Sequence, residues 1–575
     1  MFSSCDDLFT PAAENFKNVS QMYTDNTYAQ GLVVTAYRYI PTYYDNTDYA
    51  TDDAVTNLTS NSYLLMATGS WTSSNNPVNE WTSGYAAIQY LNLFLSISDK
   101  VKWEDDAVTT KLFNMRVKGE AYGLRALFLY YLLRNHSGFI TDGTLMGVPI
   151  DTVFQTSTSN FNLPRNTFEE CVKQIYQDLD SAEYHLPVEY NDITTASDIP
   201  TRFQSITKTT SVYNRVMGHY GRQLFDGLIA KAIRTRTAIL AASPAFQDSS
   251  NPNTWAEAAD DAASIIDYDG GVSGLASNGE TYYCNTSEIS GLSNGSNPAE
   301  IIWRENLSTS SYVQELANFP PSLYGNGYMN PTQNLVDAFP MLNGYPIADS
   351  RSGYDSSDPY SNRDPRLTKY IIYNGSTEGV KSTKIYTGSQ STTSDGINLT
   401  TTSTRTGYYM KKRLRMDVNC SSSSTSKQTH YDPRIRYTEM FLDYAEAANE
   451  AWGPTGTGSH SYSAYDVIKA IRKRAGIGLT NGDPYLEECK TDQSAMRTLI
   501  HNERRLELCF EGFRFWDLRR WKSDLDNPLT GMDVNNNTYT NISVETPSYK
   551  DYMYYGPIPY SELLKYDKLV QNKGW

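Results

Sequence analysis

The feature that most constrains the fold is the recurrence of apolar residues every third or fourth position over long stretches of the first half. Trp81, Tyr85, Ile88, Leu91 and Leu95 form one such stripe, which predicts a helix with one buried face. A second helix is predicted from about 108 to 133. The same spacing predicts further helices at 26–39, 166–184, 219–242, 254–266, 436–452, 464–474 and 493–510.

The arrangement of these helices, paired and separated by loops, is typical of tetratricopeptide-like units, which repeat at about 34 residues. No clear self-similarity at that period is visible, so the period alone does not establish such a repeat. Asn166 followed by Glu169 indicates a capping box, in which the first side chain accepts a backbone hydrogen bond and the second reaches back.

The segment from about 268 to 435 has a different composition, rich in Gly, Ser, Thr, Asn and Tyr. Turn signals such as Asn294-Gly295 interrupt it, and apolar runs at 300–303 and 369–373 could be short strands. We therefore predict a mainly α fold, with helix pairs as the scaffold and a long irregular, loop-rich insertion that contains short strands.

Charge and motif content argue against several classes of protein. The formal net charge of −16 disfavours a nucleic-acid or anionic-membrane surface, because both bind cationic patches. No apolar run approaches the ~20 residues of a membrane-spanning helix. The six cysteines form no CxxC pair, the six histidines are scattered, and no HExxH, P-loop or GxSxG motif occurs. We predict no metal, no cofactor and no catalytic residue.

Tyrosine is unusually abundant, with 45 residues beside 9 Trp. Both side chains combine a flat apolar face with a polar tip, which suits surfaces that bind sugars or peptides. A tyrosine-rich extracellular protein without such a surface is the alternative that composition leaves open.

Six segments follow one another along nearly the whole chain: 119–126 (Gly-Glu-Ala with Leu-Arg-Ala), 363–367 (Arg-Asp-Pro-Arg-Leu), 436–450, 471–476, 503–521 and the ending 557–575. They resemble motifs of the SusD-like (RagB/SusD) family. One such match would be weak, whereas six in order over nearly the whole chain form a specific pattern. The stretch between 371 and 430 matches no family pattern.

This resemblance implies a surface lipoprotein that binds oligo- or polysaccharide without catalysis and delivers it to a SusC-like TonB-dependent transporter. Cys5 after Phe2-Ser3-Ser4 resembles the end of a bacterial lipoprotein signal, although a stray thiol is the alternative. The family would place the chain on the extracellular face of the outer membrane, lipid-anchored through Cys5. The implied organisation is a tether at 1–20 and one domain at 21–575, with a scaffold at about 21–267 and 436–525, a loop-rich middle at about 268–435 and a tail at 526–575.

The ligand site implied by the family is built from aromatic platforms on loops near the first helices and in the irregular middle. The matching regions are 43–71 and 282–328. Trp71 ranks first, because the polar loop around it predicts an exposed ring, while each tyrosine could equally pack its loop. The candidate residues are Trp71, Tyr43, Tyr44, Asp45, Tyr63, Tyr282, Tyr283, Tyr312, Tyr324 and Tyr328.

Two alternatives remain open at this point. A helical glycoside hydrolase would need two carboxyl groups about 5–10 Å apart across a groove, one of them with a raised pKa. A peptide-binding member of the same family is also possible, since tyrosine and tryptophan recognise peptides as well.

Overall fold

A computed structural model describes residues 19–42, 46–249 and 251–575. Within those ranges, eleven helices have seven or more residues. They are α1 Asn26–Arg38, α2 Trp81–Ile97, α3 Ala107–His136, α4 Phe168–His185, α5 Thr210–Met217, α6 Gly227–Ala242, α7 Trp255–Tyr268, α8 Tyr437–Trp452, α9 Ala464–Ala475, α10 Gln493–Glu507 and α11 Arg514–Arg520.

The long helices stack on one another and form the scaffold. Helix α2 packs on α1 and α3, α3 on α4, α4 on α6, α6 on α7, and α7 on α8, which in turn contacts α10. Their facing sides form a single large hydrophobic core that includes Trp81, Leu124, Ile233 and Phe441. The predicted mainly helical scaffold is confirmed, as is the core position of Trp81.

The predicted capping box at the start of α4 exists, but one residue further along the chain. Thr167 Oγ1 accepts a hydrogen bond from Glu170 N at 3.2 Å, and Glu170 Oε2 accepts one from Thr167 N at 2.9 Å. Asn166 instead accepts from Ile150 N at 2.9 Å, outside the helix. The Asn166 and Glu169 assignment is therefore wrong by one position.

The strands are short and pair two by two, all antiparallel. Trp303, in β4, is buried as expected for an apolar strand. The strands are β1 Ala54–Thr56, β2 Gly138–Phe139, β3 Leu145–Met146, β4 Ile301–Arg304, β5 Ser308–Ser311, β6 Met329–Pro331, β7 Ile371–Ile372, β8 Thr377–Glu378, β9 Thr383–Lys384, β10 Tyr409–Met410, β11 Gln428–His430, β12 Pro433–Arg436, β13 Leu529–Asn535 and β14 Thr538–Glu545.

The irregular middle has a hydrophobic core of its own, which it shares with the end of α10. Phe339, Tyr370 and Tyr408 pack there with Leu506 and Phe510. The insertion is thus a packed part of the fold, and its loops rest on a rigid base.

Candidate functional site

The first and second candidate regions, 43–71 and 282–328, meet through the pairing of β1 with β6. Ala54 lies opposite Pro331, and Thr56 lies opposite Met329. Immediately after β1, Asn57 Nδ2 donates to the carbonyls of Asn326 at 2.9 Å and Gly327 at 3.0 Å, and to that of Ser403 at 3.3 Å. Three loops therefore converge, 57–61, 320–328 and 394–405, and we call this surface the loop face.

Tyr324 is the most exposed aromatic residue of the loop face. It follows the short turn Pro321–Leu323 and adopts a left-handed conformation with φ 65°. For a residue other than glycine this conformation costs roughly 1–2 kcal/mol. The residue is 52% exposed, so burial of the side chain offsets that cost only in part. Such strain is concentrated at functional sites.

Contacts beneath Tyr324 hold its loop in place. Ser322 N donates to Asp395 Oδ1 at 2.8 Å, and the Tyr409 hydroxyl donates to the Asp395 carbonyl at 2.9 Å. At Gly327, which has φ +58°, a Cβ atom would lie 2.5 Å from the Thr402 carbonyl oxygen. Only glycine can be accommodated this close to the Thr402 carbonyl. The loop is therefore held in one conformation before any ligand binds.

Each of the three loops of the loop face exposes one large apolar side chain. Besides Tyr324, these are Leu58, 38% exposed, and Leu399, 43% exposed. The same loops carry polar groups, among them the Asn57 side-chain amide and the backbone of Asn326 and Gly327. Flat apolar surface with nearby hydrogen-bonding groups is the combination that binds a sugar ring.

Trp71 is buried, contrary to the prediction that its polar surroundings would leave it exposed. It is only 3% exposed, and its Nε1 donates to Asn76 Oδ1 at 3.0 Å. Its ring packs against Phe515, Tyr549 and Trp575 at centroid distances of 6.0, 6.3 and 4.9 Å. Residues more than 400 positions away in the chain cover it, which the local sequence could not indicate.

Tyr282 and Tyr283 are also buried, within the core of the irregular middle. The Arg436 guanidinium lies 4.7 Å from the centre of the Tyr282 ring, and the Tyr283 hydroxyl donates to the Lys369 carbonyl at 3.2 Å. The structure therefore does not bring these two rings to the surface with Tyr324.

The remaining candidates fall into two groups. Tyr63, Tyr312 and Tyr328 are half-buried; the Tyr63 hydroxyl donates to the Pro77 carbonyl at 3.3 Å, and Lys427 Nζ lies 5.2 Å from the centre of the Tyr312 ring. The other group lies outside the described residues and consists of Tyr43, Tyr44, Asp45 and the proposed lipidation residue Cys5.

A cluster of half-buried tyrosines in the irregular middle was missed by the sequence reasoning. Tyr360 and Tyr373 stack at 4.2 Å with an angle of 28° between their rings, and Tyr539 meets Tyr360 edge-on at 5.9 Å. The overall abundance of tyrosine was the one signal available, because these residues come from three separate segments.

Two further observations concern membranes and metals. Over 19–42, 46–249 and 251–575, no helix combines the length and apolar character needed to cross a bilayer. The same residues contain no group of three or more His, Cys, Asp or Glu side chains placed to hold a metal ion.

Two family models match the chain and show which family it belongs to. A model described as "SusD family" matches residues 299–575. A second, described as "Starch-binding associating with outer membrane", matches residues 14–205. The chain belongs to the SusD-like family.

Curated SusD-like relatives match over short segments. SusD-like protein P2 of Formosa agariphila is 28% identical over 166 residues, which are 28% of this chain and 29% of that protein. SusD-like protein P38 of the same organism is 32% identical over 101 residues, 17% of this chain and 19% of that protein. The matched segments thus span less than a third of either relative.

Solved SusD-like structures match over nearly the full length and show the fold. A SusD-like protein from Bacteroides fragilis aligns with a TM-score of 0.73 at 21% identity, covering 98% of this chain and 100% of that one. A SusD-like carbohydrate-binding protein from the same species gives a TM-score of 0.68 at 20% identity, covering 95% and 99%.

Proposed function

We propose that this SusD-like chain binds oligo- or polysaccharide at the loop face and releases it chemically unaltered to a SusC-like TonB-dependent transporter. The proposal places it on the extracellular side of the outer membrane, anchored by a lipid on Cys5 through a tether at 1–20. A family model described as starch-binding and associating with the outer membrane supports this, as does a structural relative described as carbohydrate-binding.

The observation that carries the proposal is the exposed Tyr324 ring on a strained but firmly held loop. A ring that is already ordered loses little conformational entropy when a ligand packs on it, so more of the contact energy appears as affinity. The axial C–H face of a pyranose is weakly apolar and packs flat on such a ring. Amide groups near it can hydrogen-bond the sugar hydroxyls and fix the orientation.

The positions of the acidic groups whose pKa is raised do not favour the alternative that the chain is a glycoside hydrolase. Burial raises the pKa of Asp261 to about 6, and burial together with the nearby Glu300 and Glu189 carboxylates raises that of Asp269 to about 7. Asp261 lies on α7 and Asp269 directly follows it. Neither belongs to the three loops of the loop face, where the proposed sugar would lie, and nor does Asp443 of α8, whose pKa burial also raises to about 7.

Affinity electrophoresis of the purified protein against a panel of polysaccharides tests the proposal. We expect retardation by at least one glycan and a loss of about tenfold or more in affinity for Tyr324→Gly, equal to ~1.4 kcal/mol. Glycine removes the ring and suits the left-handed backbone, so the variant should fold at least as well as the wild type. Tyr184→Ala, which removes a somewhat more exposed tyrosine ring on α4, is the matched control and should bind normally.

Three results would argue against this function. Release of reducing ends over time by the pure protein would indicate a hydrolase. Unchanged retardation of Tyr324→Gly would remove the loop face from the site. Retention on a peptide panel but not on glycans would favour the peptide-binding alternative.

A further inference from the structure

Tyr220 is 86% exposed, more than any other large apolar or aromatic side chain over 19–42, 46–249 and 251–575. It lies in the short turn His219–Gly221 between α5 and α6, and it belongs to none of the three loops of the loop face. A single exposed ring is common on protein surfaces. The surroundings of Tyr220 therefore decide whether it marks a site.

The Tyr220 ring lies against the ring of His219, at a centroid distance of 4.1 Å and an angle of 34°. Asp192 holds this histidine twice: its Oδ1 accepts from His219 N at 3.0 Å, and its Oδ2 lies 2.8 Å from His219 Nδ1. Because an ionised carboxylate only accepts hydrogen bonds, Nδ1 carries the proton, and the contact fixes the orientation of the imidazole. The exposed tyrosine is thus backed by a ring that is itself held in place.

A second loop comes very close to the imidazole at Gly295. A Cβ atom on Gly295 would lie 2.3 Å from His219 Cδ2, so a side chain there would displace the ring. Gly295 is not among the glycines with positive φ, so the close approach, and not its backbone conformation, requires glycine. The buried Arg304 fixes this loop, since its Nη2 donates to the carbonyls of Ser293 at 2.7 Å and Ser296 at 2.8 Å. We call this arrangement the Tyr220 platform; it consists of Asp192, His219, Tyr220 and Gly295.

A second exposed tyrosine is connected to the Tyr220 platform. Tyr268, the last residue of α7, is 47% exposed, and its hydroxyl donates to Glu189 Oε2 at 2.9 Å. Glu189 Oε1 pairs with Arg222 Nη2 at 2.6 Å, and Arg222 follows Tyr220 by two residues. Two tyrosine rings therefore belong to one hydrogen-bonded surface, which suits a ligand longer than one sugar unit.

The polar groups of the platform define the class of ligand. Arg222 is already paired with Glu189, whereas the Asp192 carboxylate is exposed and would repel an anionic sugar. The His219 imidazole is partly exposed, and its Nε2 makes no hydrogen bond within the described part of the chain. It is therefore placed to bond a sugar hydroxyl beside the flat tyrosine ring, the combination of groups that binds a pyranose.

We propose that the Tyr220 platform is a second carbohydrate-binding site, which takes a neutral pyranose ring flat against Tyr220. The class of ligand rests on the proposed function, whereas the location does not depend on the loop face. Two sites on one molecule would raise retention on a polysaccharide through effective concentration, beyond the affinity of either alone.

Nitration of exposed tyrosines by tetranitromethane, read by peptide mass spectrometry, tests the platform directly. The probes are neutral oligosaccharides (maltoheptaose, cellohexaose, laminarihexaose and mannohexaose), with an oligogalacturonate as the anionic comparison. We expect a neutral probe that binds to slow the nitration of Tyr220 severalfold at saturation, and the oligogalacturonate to leave it unchanged. Tyr184 is the matched control, because it is also an exposed tyrosine beside a histidine but meets the His185 ring at 83°, so no ring backs its face. Its nitration should not respond to any probe.

Titration calorimetry on variants measures the contribution of the platform to affinity. We expect Tyr324→Gly to retain residual binding of a neutral probe, and Tyr324→Gly/Tyr220→Ala to lose it by about tenfold or more. Tyr324→Gly/Tyr184→Ala should bind as Tyr324→Gly does. Gly295→Ala keeps the Tyr220 ring but displaces the imidazole behind it, so in the Tyr324→Gly background it should also weaken the residual binding. Tyr220→Ala removes a side chain that is mostly in water, so its thermal midpoint should match that of the wild type.

The two proposals fail in different ways. If a bound probe leaves the nitration of Tyr220 unchanged, or if the two double variants bind alike, the Tyr220 platform is not a site while the proposed function stands. Loss of all binding in Tyr324→Gly alone leads to the same conclusion. If Tyr220→Ala abolishes binding and Tyr324→Gly does not change it, the platform stands and the loop face is overturned. If no neutral probe binds the wild type, both proposals are overturned.

Discussion

At the scale of single residues, the support of the loop face depends on a buried ion pair between Glu315 and His430. Glu315 lies in the short helix Val313–Asn318. The next two residues hold the loop that carries Tyr324. The Leu316 carbonyl accepts a hydrogen bond from Asn326 N at 2.8 Å, and the Ala317 carbonyl accepts one from Tyr328 N at 3.0 Å. The fully buried Glu315 carboxylate contacts His430 Nε2 on β11 at 2.9 Å.

This ion pair should make stability depend on pH in a predictable direction. Burial lowers the pKa of His430, but the hydrogen bond and the charge of Glu315 outweigh it, and the pKa is raised overall. A raised folded-state pKa contributes stability that is fully present below the ordinary value of about 6.5 and is lost as the pH rises through the folded-state pKa.

Urea unfolding of wild type and His430→Gln at pH 5.5, 7 and 8.5 measures this effect. We expect the advantage of the wild type in free energy of unfolding to be largest at pH 5.5 and smallest at pH 8.5. The comparison cancels the buried His136 and His501, whose pKa values burial lowers to about 4. A constant difference across the three pH values would show that the pair does not carry the dependence.

The sequence predicted the exposure of individual side chains less well than any other feature. Trp71 lies in a loop of small polar residues, yet Phe515, Tyr549 and Trp575 enclose it, and nothing near it in the sequence indicates their approach. Tyr324 was one candidate among several similar tyrosines. Its exposure follows from its own left-handed conformation after the short turn Pro321–Leu323, and a backbone conformation of this kind has no clear signature when the residue is not glycine.

At the scale of elements, the long helices were predictable and most of the short strands were not. The predicted helix 26–39 is α1 Asn26–Arg38, and 464–474 is α9 Ala464–Ala475, because apolar spacing reports the buried face directly. The predicted helix 219–242 begins only at Gly227, where Asp226 caps it by accepting from Ile229 N at 2.9 Å. Strands β4 and β7 lie in the predicted apolar runs 300–303 and 369–373, whereas strands such as β8 and β10 contain two residues each and are too short for any periodicity.

The N-cap of α4 allows a test of how much a capped helix start contributes to the free energy of unfolding. Thr167→Ala removes the acceptor for Glu170 N, and loss of an N-cap side chain typically costs about 1 kcal/mol. We expect that loss in the free energy of unfolding measured with urea. Thr167→Ser keeps a hydroxyl in the same position and should retain most of the stability. Equal losses for both substitutions would show that the methyl group, and not the hydrogen bond, is what matters.

At the scale of the whole molecule, buried ion pairs join the irregular middle to the helical scaffold. Arg366 contacts both Glu503 and Glu507 of α10 at 2.9 Å, and Arg472 of α9 contacts Glu503 at 2.7 Å. Charges of opposite sign alternate over 503–519, and most of them form such carboxylate–guanidinium pairs. Arg519 is the exception, since its guanidinium lies over the Phe515 ring at 3.4 Å and donates to the Phe515 carbonyl at 3.1 Å. The partners in the middle lie over 100 positions away and could not be assigned from sequence.

Replacing one of these buried arginines should therefore destabilise the whole molecule. Arg366→Met leaves the fully buried Asp364, Glu503 and Glu507 with less positive charge around them, and breaking a buried pair by removing one partner typically costs about 3–5 kcal/mol. Burial raises the pKa of Glu507, but the surrounding cations Arg474, Arg366, Arg436 and Lys412 outweigh it and hold that pKa at about 2. Without Arg366 the pKa should move upward, and because the variant starts from a lower stability at neutral pH, its acid unfolding should begin at a higher pH.

Arg351→Met is the matched control, because this arginine pairs with Asp349 and Glu488 at 2.7 Å on the surface. Exposed pairs contribute only ~0–1 kcal/mol, so its urea midpoint and its acid transition should stay close to those of the wild type. Comparable losses for the two variants would mean that burial does not set the strength of these contacts. A large loss of stability for Arg366→Met but not for Arg351→Met would show that the buried carboxylates of α10 hold the irregular middle on the helical scaffold. The position of the loop face would then be set by the scaffold.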